Sequence, residues 1–106
     1  MRLRWLVPVL ASPALALAGQ GKICVTNGTA GHLLFAAEIA PAPRRLAWLA
    51  PGETLCAGPG TAARGIVSVY ASERALEGCS RVTAAGHTRI LRTFAEFDNC
   101  RWSDQE

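Results

Sequence analysis

"KICVTNGTAGHLLFAAEI", residues 22–39, holds two apolar stretches separated by a glycine-rich reversal. In the first stretch Ile23 and Val25 share one side of an extended chain and Cys24 takes the other. After the break, Leu33, Phe35, Ala37 and Ile39 recur at period two, the spacing of a strand buried on one face. Between them "NGTAG" (27–31) supplies Asn-Gly and a second glycine, residues that accept positive φ at little cost. The expectation here is a β-hairpin.

The same pattern continues downstream. "APAPRR" (40–45) is a loop or an edge crossing, because alternating prolines do not donate to a ladder. "LAWL" (46–49) and "TLCA" (54–57) are short strands around the turn "APGE" (50–53). "GPGTAARG" (58–65) reads as the most irregular loop. "GIVSVYA" (65–71) is the clearest strand, rich in β-branched and aromatic residues. "SERALEG" (72–78) reads as one helical turn capped by Ser72 and ended by Gly78. "SRVT" (80–83), the turn "AAG" (84–86) and "HTRILRTF" (87–94) form a second expected hairpin. "AEFDNCRW" (95–102) is a last short strand, and "SDQE" a frayed polar tail. Seven to eight short strands without an amphipathic helix of useful length predict an all-β fold. The form is a small antiparallel β-sandwich or barrel, stapled by disulfides.

Residues 1–18 differ in kind from the rest of the chain. Arg2 and Arg4 precede an uncharged apolar run, Leu6 to Ala18, that ends in Ala16-Leu17-Ala18. That is the layout of a cleaved secretory signal peptide. The run is shorter than the ~20 residues a spanning helix needs, and Pro8 and Pro13 interrupt it. Cys24 follows "GKI" rather than a lipobox of small residues. The expected organisation is a signal peptide, 1–18, and a single β-rich domain, 19–106, delivered to the periplasm or secreted. The formal charge of +3 falls to +1 once the leader is removed. Charge therefore lends no support to a nucleic-acid or acidic-membrane partner. No second stretch is long enough to span a bilayer.

Cys24, Cys56, Cys79 and Cys100 make an even count in a short exported chain, the pattern of a disulfide framework. No Cys-x-x-Cys pair marks a zinc, redox or haem site. Cys79, in "EGCSR" (77–81), sits between a carboxylate, a hydroxyl and a guanidinium, a setting that raises the question of a nucleophile. No phosphatase-type Cys-x5-Arg is present, since Ala85 stands at the arginine position. The staple reading is preferred. Four cysteines allow three pairings, which sequence does not separate. Cys24–Cys56 with Cys79–Cys100 is favoured, each bridge closing one half of the chain.

No catalytic signature emerges. His32 and His87 lack a third ligand for a metal. Glu53, Glu77, Glu96 and Asp98 show no spacing of a catalytic pair. Asn27-Gly28-Thr29 matches a glycosylation sequon, but the turn reading of the same residues is preferred. No enzyme activity, cofactor or metal is expected.

The aromatic residues carry the functional expectation. Phe35, Trp48, Tyr70, Phe94, Phe97 and Trp102 are more than so small a core needs. Trp48 and Trp102, with Arg44, Arg45 and Arg101, are candidate interface residues, the types that anchor protein contacts.

"CVTNGT", "WLAPGETLC", "LEGCSR" and "EFDNCRW" together resemble short exported bacterial proteins of uncharacterised function. The resemblance implies an extracytoplasmic β-rich domain and brings no catalytic residues. The expected function is that of an exported protein-binding or accessory envelope module with an unidentified protein partner. The alternative is a secreted or periplasmic inhibitor of a lysozyme- or protease-type hydrolase that presents "GPGTAARG".

Overall fold

The strands are β1 (Gly21–Asn27), β2 (Leu33–Glu38), β3 (Arg45–Leu49), β4 (Thr54–Gly60), β5 (Arg64–Tyr70), β6 (Cys79–Ala84), β7 (Thr88–Thr93) and β8 (Arg101–Gln105). They come from a computed structural model that describes residues 21–75 and 77–105. The expected signal peptide lies outside the described residues. The strands form two four-stranded sheets, ordered β4-β1-β7-β8 and β3-β2-β5-β6. The all-β, disulfide-stapled reading is correct. Five of the six strand pairings are antiparallel; β1 and β7 run parallel.

Both expected hairpins are corrected. β1 and β2 do not pair; they belong to opposite sheets, and "NGTAG" carries the chain from one to the other. β6 and β7 are likewise divided, with "AAG" crossing between sheets. The short glycine turns are arches, whereas the ladder-forming reversals β2–β3, β5–β6 and β7–β8 use longer connections. The apolar faces explain the choice. Ile23 and Val25 of β1 meet Phe35 and Ala37 of β2 in one core, all fully buried. Facing strands bury these side chains against each other. Paired strands would only set them side by side.

Three local readings also change. β4 runs on through Gly58, Pro59 and Gly60, and β5 starts at Arg64, so only residues 61–63 of the expected 58–65 loop are irregular. A Cβ on Gly60 would stand 2.6 Å from the Ala40 carbonyl oxygen, which explains a glycine inside that strand. Residues 72–75 make a single turn, closed by Ala75 N–H to Ser72 C=O at 3.2 Å, and no helix. At the C-terminus the last strand is Arg101–Gln105 and not the expected 95–102: residues 95–100 belong to the β7–β8 connection, and Ser103 to Gln105 pair with β7 rather than fraying.

The core is built by Ile23, Val25, Leu55, Ala57 and Leu91 from one sheet against Phe35, Ala37, Val67 and Val69 from the other. Each large side chain removed from water there contributes about 2 kcal/mol. Both favoured disulfides form. Cys24–Cys56 joins directly opposed residues of β1 and β4 within one sheet. Cys79–Cys100 ties the start of β6 to the residue before β8, so it clamps the two sheets together. Cys79 is thus a staple, and no cysteine is free.

Candidate functional site

Strand register decides which side chains share a surface. On the outer face of the β3-β2-β5-β6 sheet, Trp48, Leu34 and Tyr70 form one row across the strands. Leu46, Ala36, Ser68 and Ser80 form the next, and Glu38, Ile66 and Val82 a third. Leu46 (52%), Trp48 (46%), Ile66 (41%) and Val82 (55%) keep large parts of their side chains in water. These four apolar residues stand on one side of one sheet.

Arg44 crosses this surface. Its Nε lies 3.4 Å from Glu38 Oε1, and its Nη2 donates to the Tyr70 hydroxyl at 3.5 Å. Glu38 belongs to the third row and Tyr70 to the first, so the one guanidinium holds residues from both rows. Ala36, in the row between, is 2% exposed although its side chain faces outward. The polar pair Ser68 Oγ and Ser80 Oγ, 2.9 Å apart, completes the second row. Beside Trp48 an open cleft of about 370 Å3 is lined by Leu34, Leu46, Ala47, Trp48 and Glu73.

The outer face of the other sheet is chemically different. There Thr26 Oγ1 and Thr54 Oγ1 pair at 2.7 Å, the Cys24–Cys56 bridge lies beside them, and Arg92 Nε donates to Ser103 Oγ at 2.8 Å. Both faces carry polar pairs, but the exposed large apolar side chains described on strands all lie on the β3-β2-β5-β6 face.

Of the five candidate interface residues, Arg44 and Trp48 share the apolar face. Arg45 points away from it, and its Nη1 donates to the Cys56 carbonyl at 3.1 Å, linking β3 to β4. Trp102 lies opposite the fully buried Leu91 and packs on the core, with its indole N–H buried and unpartnered. Arg101 is exposed at the start of β8, in the other sheet. Leu46, Ile66 and Val82 are absent from the sequence candidates, and Tyr70 figures there only as one of the surplus aromatic residues. In "LAWL" both parities are apolar, so alternation alone does not say which pair faces water.

The sequon asparagine is a structural hub. Asn27 is fully buried; its Nδ2 donates to the Gly31 and Leu49 carbonyls at 2.7 and 2.9 Å. Its Oδ1 accepts from Thr29 N–H and Oγ1. The amide that glycosylation would modify is therefore enclosed in the folded chain. His32 and His87 join no cluster, since no group of three or more His, Cys, Asp or Glu gathers among the described residues. No described helix is long and apolar enough to cross a membrane. Compared with protein-family models, curated proteins and solved structures, the chain matches none, so its resemblance to exported bacterial proteins rests on the cysteine and turn motifs alone.

Proposed function

We propose that this chain is an exported module, periplasmic or secreted, that acts by binding another protein through the outer face of its β3-β2-β5-β6 sheet. One observation carries the reading. Leu46, Trp48, Ile66 and Val82, between 41% and 55% exposed, are placed by register on one side of one sheet, and no exposed large apolar residue described lies on the outer face of the other. An apolar patch with a tryptophan near a tethered arginine has the composition of a contact centre. At its margins Arg44 and Arg64 flank Glu38, and Glu73 lies beside Trp48. The partner surface is accordingly apolar at its centre, with charged groups of both signs accommodated at its edge.

The test is quantitative capture from envelope extract with the mature protein and with a Leu46→Ser, Trp48→Ser double variant. The expected result is one dominant partner, lost with the double variant and retained with Arg101→Ser on the other sheet. A partner held equally by all three proteins rules out this face.

A further inference from the structure

A second apolar groove opens between two connections at the end of the sandwich where Asn27 sits. Ala71, Ala75 and Glu77 from the β5–β6 connection and Phe94, Glu96 and Phe97 from the β7–β8 connection enclose about 420 Å3. The two walls are mutually anchored. Cys79–Cys100 joins the C-terminal ends of both connections, and Ser80 N–H donates to Asp98 Oδ1 at 3.1 Å. Phe94 packs against the core and forms a fixed floor. Phe97 keeps 69% of its surface in water, more than any other exposed large apolar side chain described.

A second cleft of about 380 Å3, bounded by Glu77, Gly78, Phe97 and Asp98, adjoins the groove and shares Glu77 and Phe97 with it. Phe97 thus borders both recesses, and every charged side chain described in either lining is a carboxylate. Arg74 belongs to the same connection but lines neither. This charge pattern selects the occupant. Anionic groups, including an acidic lipid surface, are repelled. A small inorganic cation would leave the apolar surface of Ala71, Phe94 and Phe97 uncovered. An arginine side chain matches both features, with an apolar stem and a cationic head that aromatic faces also attract.

We infer that the Phe94–Phe97 groove is a docking site for an arginine-bearing peptide segment of a protein partner, its stem against the phenyl rings and its guanidinium among Glu77 and Glu96. The groove meets the Trp48 face only at Ala75, which also lines a cleft with Arg44, Leu46 and Tyr70, and neither Phe94, Phe97, Glu77 nor Glu96 belongs to that face.

The probe is a capped pentapeptide alternating leucine and arginine, titrated into isotope-labelled mature protein and followed by amide resonance shifts. Shifts are expected at residues 71–75 and 94–98, weakening with added salt. Phe97→Ser should weaken binding roughly tenfold, as loss of a contact anchor does, at unchanged melting temperature. Glu77→Gln with Glu96→Gln should weaken it roughly threefold and flatten the salt dependence. The inference is overturned if the peptide shifts other residues only, or if a glutamate-for-arginine peptide binds as well. Undiminished binding to both the Phe97 and the carboxylate variants overturns it equally.

Discussion

The side-chain amide of Asn27 donates to the Leu49 carbonyl at 2.9 Å, joining the last residue of β1 to the last residue of β3 across the two sheets. The backbone of Asn27 extends the link: its N–H donates to the Glu53 carbonyl at 2.9 Å, and its own carbonyl accepts from Gly52 N–H at 2.7 Å. One buried residue thus fixes the first arch and the β3–β4 turn together. Asn27→Ala leaves buried carbonyls without their donor, a loss of roughly 3 kcal/mol for several broken bonds. Asn27→Asp should be worse, since a carboxylate would face the Gly31 and Leu49 oxygens. Urea denaturation of both variants checks the order; equal stability to the parent would remove Asn27 from this role.

The two bridges should respond differently to reductant. Cys79 and Cys100 are 1% and 7% exposed, whereas Cys24 and Cys56 lie on the outer face of their sheet and are partly exposed. Thiolate attack needs access to sulfur, so mild reductant opens Cys24–Cys56 first. Alkylation and peptide mass mapping read the sequence of events. Each bridge closes a loop, with separations of 32 and 21 residues. In the chain-entropy account such loops are worth about 3.5 kcal/mol each. Full reduction should therefore lower the melting temperature sharply.

Iodide quenching separates the tryptophans. Trp48 is 46% exposed, while Trp102 packs on the core with its indole nitrogen enclosed. In the mature chain, quenching should therefore affect one tryptophan and spare the other, and Trp48→Phe should leave emission that iodide barely touches. Strong quenching in that variant would show that Trp102 is open to solvent.

Phe97 has φ 60° and Asp98 φ 57°, two consecutive residues in the left-handed region. Aspartate tolerates that region; a bulky phenylalanine does so at a cost of about 1 kcal/mol. Phe97→Gly relieves the backbone and removes a ring that is mostly in water. A stability gain of about 0.5 kcal/mol or more is expected despite the added freedom of the unfolded chain. Thermal unfolding measures it, and a clear loss would mean that the ring packs on the fold.

Gly28 lets β1 leave its sheet beside β7. Its N–H donates to the Leu91 carbonyl at 2.8 Å, and an added Cβ would stand 2.6 Å from that same oxygen. Gly28→Ala must displace one strand or the other. A loss of roughly 2 kcal/mol is expected in chemical denaturation, with shifted amide resonances at Leu91. An unshifted, equally stable variant would show that the corner yields freely.

Strand content was readable in the sequence because alternation leaves its mark residue by residue. Phe35 and Ala37 are both buried where period two places them, as are Ile23 and Val25. Pairing was not readable in the same way. "NGTAG" announces a reversal, but the backbone signal is shared by a hairpin and an arch. What separates them is whether the returning apolar face lies beside or opposite the outgoing one. The surface was legible only in part for a related reason: Trp48 was singled out by type, whereas Ile66 and Val82 became surface residues only through pairing across β5 and β6.

By itself, then, the amino-acid order determined the all-β character and the short strands, because these arise from local periodicity and turn chemistry. Tertiary structure alone decided which strands share a sheet, which cysteines meet, and which apolar residues remain in water. Those outcomes depend on contacts between residues distant along the chain, where burying one face of each sheet in a common core selects among arrangements that local preferences leave equal.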